Sequence, residues 1–258
     1  MDELVLERTK AGLLENGQDS LRSALLHFLD MVVDNRGEYH HTKWVNVCAH
    51  HAAECISNMI LLEHDPKSSL LKFKDGEYIF PYLDEVIKPL KSNEYRHVLL
   101  DSERMLFKFF GRLSKNRNKY MHRIAPDNAD MSSASLALLG MLHVLKNRKG
   151  IETSDLLDTS PPIERDIASA IRKSHAATYE RYVLQVMKEE NILTDTLECC
   201  PYCDSRTLQD TKCWSCFEEL DSVYCELCDE STNYMSWLPD SGEKPISCSI
   251  CGKEISTN

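Results

Sequence analysis

Paired cysteines give the C-terminal end of this sequence its clearest capacity for chemistry. Four pairs share a spacing of two intervening residues: Cys200 and Cys203, Cys213 and Cys216, Cys225 and Cys228, Cys248 and Cys251. A tight turn with this spacing presents two sulfurs to one ion, and two such turns complete a tetrahedron. The eight thiols therefore predict two structural zinc ions, with no open position for a catalytic water.

The pairing of these turns is less constrained than their number. Sequential use would place Cys200, Cys203, Cys213 and Cys216 on one ion and Cys225, Cys228, Cys248 and Cys251 on the other, which resembles two consecutive zinc ribbons. Nested or interleaved pairing is also compatible with the spacing. Cys199 is interpreted as a spare thiol rather than a ninth ligand.

The charge of the chain is concentrated in the same region. The net charge is −11, and residues 193–258 hold thirteen Asp and Glu against four Lys and Arg, a balance of −9 that leaves −2 for residues 1–192. Eight thiolates and two zinc ions add further negative charge, so this module should repel phosphate. We expect it to have a structural role or to bind a protein partner.

The remaining sequence has the pattern of a helical protein. Apolar residues recur at intervals of three and four over 19–33, 41–64, 94–114, 132–147 and 162–192. Asp19 and Ser132 or Ser133 are candidate helix starts, Gly150 a candidate stop, and residues 153–160 a candidate linker. We predict an all-α helical bundle over 1–192 and a small double zinc-ribbon module over 193–258. The acidic first residues and the lack of a long apolar run favour a cytoplasmic protein without a membrane span.

A basic stretch stands out within this acidic chain. Between Arg104 and Arg123 there are seven Arg and Lys and no acids. Six of them recur at spacings of four and three, which places them along one side of a helix, interrupted or not near Asn116: Arg104, Lys108, Arg112, Lys115, Lys119 and Arg123. An ordinary solvated face mixes both signs, so we interpret this basic stripe as an RNA-binding surface.

The basic stripe encloses the motif that runs from Arg117 and Asn118 to His122. An arginine can grip a phosphate with two parallel hydrogen bonds, and a histidine can move a proton near neutral pH. Two other Arg/His pairs in the chain, Arg22/His27 and Arg36/His41, share the spacing. Only Arg117 has asparagine immediately after it and a basic setting.

Over residues 18–148 the sequence resembles the HEPN superfamily. An amphipathic helix is followed by a second one with Lys43, Trp44 and the run from His50 to Glu54, and the Arg-Asn-x-x-x-His motif lies between two later helices. The resemblance implies a helical bundle, commonly dimeric, and in many members a metal-independent endoribonuclease used in toxin or anti-phage systems. Carried over by motif, Arg117, Asn118 and His122 would be the active residues.

The resemblance implies a reaction in which a ribose 2′-hydroxyl attacks the adjacent phosphate and leaves a 2′,3′-cyclic phosphate. His122 would serve as general acid or base, Arg117 would stabilise the developing charge, and Asn118 would orient one of them. One motif per chain supplies one such histidine, so a homodimer that pairs two motifs is expected. The alternative is a non-catalytic module that binds RNA, nucleotide or protein.

A competing set of residues in the second helix could suggest a metal site. Cys48, His51 and Cys55 share one helical face, and His40, His41 and His50 are close in sequence. Cysteine is among the residues most at home in a helix core, and no fourth ligand is fixed by spacing. We therefore interpret these cysteines as core residues.

Overall fold

The computed structural model describes residues 3–32, 38–122, 131–157, 163–194, 197–200, 202–217, 220–225, 228, 230–235, 246–247, 251 and 254–255. Its helices are α1 (Glu3–Val32), α2 (Glu38–His64), α3 (Leu83–Leu90), α4 (Asp101–His122), α5 (Met131–Lys149), α6 (Thr153–Leu156) and α7 (Ile163–Glu189). Its strands are β1 (Lys72–Lys74), β2 (Glu77–Ile79), β3 (Leu208–Gln209), β4 (Lys212–Cys213), β5 (Leu220–Cys225), β6 (Glu230–Met235), β7 (Ile246–Ser247) and β8 (Glu254–Ile255). The mostly helical class and the small strand-bearing, cysteine-rich C-terminal region are thus confirmed.

Residues 1–175 form one compact unit and residues 176–258 another, with α7 contributing to both. The domain boundary after Ile192 stays a prediction. In the first unit α2 is central, since it packs against α1, α3, α4 and α5. The core of this unit consists of fully buried apolar side chains from α2 and the helices packed against it. They include Leu21, Leu25 and Phe28 of α1, Ile56, Met59 and Ile60 of α2, Phe107 and Phe110 of α4, and Leu138 and Met141 of α5.

The prediction that Asp19 starts the first helix is wrong, because α1 begins at Glu3. The earlier residues are good helix formers without proline, and the Thr9 hydroxyl donates to the Val5 carbonyl at 2.7 Å. Gly17 then allows close packing, since a Cβ there would lie 3.4 Å from side-chain atoms of Cys55 and Ile56. The apolar periodicity over 19–33 therefore predicted only the C-terminal half of α1.

The boundaries of α4 also differ from the prediction. Residues 94–100 form turns, and the helix begins at Asp101, where the Glu103 carboxylate accepts the Leu100 N–H at 2.9 Å. The helix continues past 114 to His122 because Asn116 turns inward and donates to Asn46 Oδ1 at 3.3 Å. The Arg-Asn-x-x-x-His motif therefore occupies the end of α4 and not a segment between helices.

The end of α5 follows the predicted stop signal. Gly150 has φ of +65°, its N–H bonds to the Lys146 carbonyl at 2.9 Å, and the Ile151 N–H bonds to the Leu145 carbonyl at 3.3 Å. The bond from the Gly150 N–H to the Lys146 carbonyl is that of an αL cap, in which glycine takes the left-handed conformation without strain. The predicted helix start at Ser132 or Ser133 is wrong, since α5 already begins at Met131, one or two residues earlier.

The predicted linker over 153–160 is wrong where the structure describes it. Residues 153–156 form α6, and Leu156 and Leu157 are buried. The burial of these two leucines anchors the otherwise polar segment. Residues 158–160 lie outside the described part of the chain.

The contact between α4 and α5 depends on a glycine. A Cβ on Gly140 would lie 2.7 Å from Leu106 Cδ1 and 2.9 Å from Leu106 Cβ. We expect Gly140→Ala to destabilise the protein by about 1–3 kcal/mol despite the higher helix propensity of alanine. Gly12→Ala is the matched control, because nothing lies within 4 Å of its Cβ position, and it should stabilise by about 0.5–1 kcal/mol. Thermal unfolding followed by circular dichroism separates the two; equal stabilisation would contradict close packing at Gly140.

Candidate functional site

Two residues of the predicted motif line a pocket of about 590 Å³ in the helical unit. Arg117 and Asn118 of α4 form one side of it, facing residues from α2 and the start of α3. The complete lining is Val47, His50, His51, Glu54, Tyr82, Leu83, Asp84, Glu85, Ser114, Arg117 and Asn118. Arginine, asparagine and two histidines thus share one solvent-accessible cavity.

The α2 side of the pocket is held by contacts with α3. Glu54 accepts the backbone N–H of Leu83 at 2.9 Å, and Glu85 accepts the N–H of Tyr82 at 3.0 Å. Both carboxylates therefore satisfy backbone donors at the start of α3, which have no partner within the helix. The Glu54 contact joins α2 to α3 beside the pocket, whereas the Glu85 contact lies within the N-terminal cap of α3.

Arg117 is half-buried, and its Nη1 donates to Asn118 Oδ1 at 3.1 Å. The two neighbouring residues therefore interact directly, with the amide oxygen fixing the guanidinium. The backbone of His122 ends α4, whereas the side chains of Lys119 and His122 lie outside the described residues. The placement of the His122 imidazole relative to Arg117 stays a prediction.

His50 is the titratable side chain with the most strongly shifted pKa in this pocket. Its Nε2 lies 3.1 Å from Ser114 Oγ. Burial and then the positive charge of Arg117 lower the pKa of His50 to about 4. The imidazole is therefore neutral near pH 7, where it can accept or donate a hydrogen bond.

The low pKa of His50 makes a prediction for stability against pH. The unfolded chain takes up this proton near pH 6.5 and the folded chain near pH 4, so His50 reduces stability as the pH falls through that window. We expect His50→Gln to lose less stability than the parent protein between those limits in urea unfolding. Identical losses in both proteins would contradict a buried, neutral His50.

His51 faces α1 rather than a metal ligand set. Its Nδ1 lies 2.7 Å from Ser20 Oγ and its Nε2 lies 3.9 Å from Cys55 Sγ. Burial raises the pKa of Cys55 to about 11 and also raises that of Cys48. Within the described chain Cys48, His51 and Cys55 do not converge on one point, so no metal site is assigned to them.

The members of the basic stripe differ in their surroundings. Arg104 donates to the carbonyls of Lys91 at 3.2 Å and Ser92 at 3.5 Å, close to the end of α3. Arg112 lies over the Phe109 ring at 5.4 Å. Lys108 and Lys115 are exposed. The side chain of Lys119 and all of Arg123 lie outside the described residues, and RNA binding by the stripe stays a prediction.

The first four cysteines converge on one point in the C-terminal unit. Cys200 Sγ lies 3.6 Å from Cys216 Sγ, and Cys203 Sγ lies 3.7 Å from Cys213 Sγ. Sulfurs bound at about 2.3 Å to a tetrahedral zinc lie about 3.8 Å apart. The donor type and the spacing therefore fit one structural zinc, and they support sequential pairing for this site. Hydrogen bonds from the Cys203 and Cys216 thiols lower the pKa of Cys213, whereas burial raises the pKa of Cys200 to about 12.

The turns that present these sulfurs contain two left-handed residues. Asp204 follows the first pair with φ of 56°, and Phe217 follows the second with φ of 61°. Glycine is favoured in this conformation, and a bulky residue such as phenylalanine is rare there. Gly252 follows the last cysteine pair in sequence, although it lies outside the described residues.

A buried tyrosine supports the cysteine cluster from α7. The Tyr179 hydroxyl donates to the Ser215 carbonyl at 2.9 Å, and the Arg206 N–H donates to Glu180 at 3.0 Å. Thr207 donates to Ser215 Oγ at 2.7 Å between the two turns. The end of α7 and the cluster therefore belong to the same unit.

The second predicted zinc site lies partly outside the described residues. Cys225 ends β5, Cys228 lies in a turn before β6, and Cys251 lies in a turn between β7 and β8. Cys248 lies in a stretch that is not described. Of the described members, Cys228 and Cys251 each lie in a turn, the first between the antiparallel strands β5 and β6 and the second between β7 and β8.

A second group of converging side chains was not predicted. His27, Asp30 and His41 offer ligand atoms that all lie within 4.8 Å of one another. His27 and His41 are fourteen residues apart, which is not a recognisable metal-ligand spacing. The only signal in the sequence was that Asp30 follows His27 by three residues on α1.

No protein-family model matches this chain, and searches of curated proteins and of solved structures found no match either. The fold and the site define a helical domain with a C-terminal four-cysteine cluster suited to zinc. None of the described helices combines the length and apolarity that a membrane span requires.

Proposed function

We propose that the chain is a HEPN-type, metal-independent endoribonuclease, with a role in toxin or anti-phage systems. The observation that carries the proposal is the shared pocket of Arg117 and Asn118 with His50 and His51. Its volume suits a nucleotide-sized group, since ligand pockets are commonly about 300–1,000 Å³. The resemblance to the HEPN superfamily supplies the reaction.

In this reaction the ribose 2′-oxygen forms a bond to phosphorus while the bond from phosphorus to the 5′-oxygen breaks. The 2′-hydroxyl proton passes to a base, and an acid protonates the departing 5′-oxygen. His122 serves as one of these groups, and the guanidinium of Arg117 neutralises charge on the phosphate oxygens. Asn118 orients Arg117 through the hydrogen bond between their side chains.

A second proton-transfer group is needed, and a homodimer that pairs two copies of His122 would supply it. His50 is poorly suited as the base, because a pKa of about 4 makes it a weak proton acceptor. We assign His50 a hydrogen-bonding role in the pocket, either to the substrate or to Ser114 Oγ, which lies 3.1 Å from its Nε2.

One observation favours the non-catalytic alternative. Glu54, Asp84 and Glu85 line the same pocket as Arg117, so its charge is mixed. A phosphate would be repelled by these carboxylates, although those of Glu54 and Glu85 are bound to backbone N–H groups. A binding module for a nucleotide base or a protein segment would tolerate this lining better.

Total RNA incubated with the purified protein in EDTA tests the proposal, with an Arg117→Ala/His122→Ala double variant as the comparison and zinc content monitored. We expect the parent to cleave and the double variant to be inactive. Equal cleavage by both proteins would overturn the assignment. If neither cleaves, RNA binding measured against salt tests the alternative, since binding through the basic stripe must weaken steeply as salt rises.

For the C-terminal module we propose two structural zinc ions, the second held by Cys225, Cys228, Cys248 and Cys251. Its acidic balance of −9 supports a protein partner rather than RNA as its ligand.

A further inference from the structure

We propose that His27, Asp30 and His41 form a third metal site, for a divalent transition metal, in the helical unit. His27 Nδ1 lies 3.2 Å from His41 Nδ1, and His41 Nδ1 lies 3.7 Å from Asp30 Oδ2. Two imidazoles and one carboxylate are a common ligand set for zinc and related ions. The site is separate from both the pocket and the cysteine pairs.

The separations fit the edges of a coordination tetrahedron. Zinc binds imidazole nitrogen at about 2.0–2.1 Å, so two such nitrogens on one ion lie about 3.3–3.4 Å apart. The two histidine nitrogens are within about 0.2 Å of that value. The carboxylate, with rotation about its own side chain, needs only a small movement to reach the same point.

A hydrogen bond alone accounts for only part of this arrangement. One neutral imidazole can donate to the other, which would explain the contact between His27 and His41. The distance of 3.7 Å from His41 Nδ1 to the Asp30 carboxylate exceeds a hydrogen bond and lies within ion-pair range, which requires a protonated His41. A shared cation would account for the convergence of all three groups without that proton.

The local structure holds the ligands in place. His27 and Asp30 are three residues apart on α1 and so share a face, while His41 belongs to the first part of α2. The Trp44 ring stacks on His27 with centroids 6.3 Å apart, which fixes the orientation of the imidazole. The stacking therefore orients the His27 ring in the absence of a metal ion.

The site is also accessible from solvent. The Asp30 side chain is 49% exposed, and that of His41 is 16% exposed. Water can therefore complete the coordination, and the metal can enter from the Asp30 side. His40 is exposed with its ring centroid 5.5 Å from that of His41, so it lies beside the ligand set.

Isothermal titration with Zn²⁺ tests the site in the whole 258-residue chain, after its cysteine sites have been saturated with zinc. We expect the parent to bind one further equivalent and His41→Gln to lose it. Asp30→Asn, at the exposed position, should fold normally and weaken binding by about tenfold or more. His97→Gln replaces an exposed histidine elsewhere and should bind like the parent.

Two results would overturn the proposal: no further equivalent bound by the parent, or equal affinity in the parent and Asp30→Asn. Circular dichroism confirms that each variant is folded. The readout is metal binding itself, so the result does not depend on ribonuclease activity.

Discussion

Arg117→Ala and His122→Ala should each slow RNA cleavage by about 10²–10⁴-fold. In the proposed reaction Arg117 would neutralise charge that develops on the phosphate, and His122 would transfer a proton in the same step. Interactions of this kind act in the transition state, so the loss should appear mainly in kcat. Single-turnover cleavage of a defined RNA measures it.

Lys115→Ala is the matched control for Arg117→Ala. Lys115 is an exposed basic residue of the same helix, two positions before Arg117. We expect it to weaken RNA binding modestly and to leave the rate of the bound complex unchanged. A loss in Lys115→Ala as large as that in Arg117→Ala would mean that charge, and not the motif, carries the activity.

Loss of the first zinc ligand set should have the largest effect on stability. Structural zinc sites contribute about 10–16 kcal/mol of binding free energy, which the folded module retains only while metal is bound. Cys213→Ser removes a buried ligand, so we expect about one zinc fewer per chain and loss of the fold around β3 and β4. Metal analysis gives the first result and Trp214 fluorescence the second.

Cys199→Ser is the control for this experiment, because Cys199 is exposed and adjacent to a ligand without being one of the converging four. It should keep the same zinc content as the parent. A zinc content in Cys213→Ser equal to that of the parent would contradict a metal centre at this position.

Features set by local sequence were the most predictable ones. The cysteine spacing predicted the first four-cysteine cluster because both sulfurs of a pair come from one turn. Gly150 predicted the end of α5 because the left-handed cap depends on a single residue. Helical periodicity predicted the class of the first unit, although it missed β1, β2, α3 and α6, which have too few residues to show a period.

Features that depend on packing between distant segments were not predictable. The basic stripe left open whether α4 continues past Asn116, and the Asn116 side chain in fact bonds to Asn46 of α2, a contact that no periodicity records. The same is true of the pocket, where residues 50–54 meet residues 117–118 across the bundle. Arg117 and Asn118 were predicted as site residues by motif, whereas His50 and Glu54 were noted only as part of a resemblance.

Histidines illustrate the same limit. His27 was noted in the sequence only for its spacing from Arg22, which carries no information about a contact with His41. The structure brings it within 3.2 Å of His41 because α1 packs along α2.

The chemistry of the cleaved ends tests the ribonuclease proposal most directly. RNA treated with the parent protein in EDTA should carry 2′,3′-cyclic phosphate and 5′-hydroxyl termini, and DNA of the same sequence should stay intact because it lacks the attacking 2′-hydroxyl. Cleavage of that DNA, or RNA products with 5′-phosphate termini, would contradict the proposal.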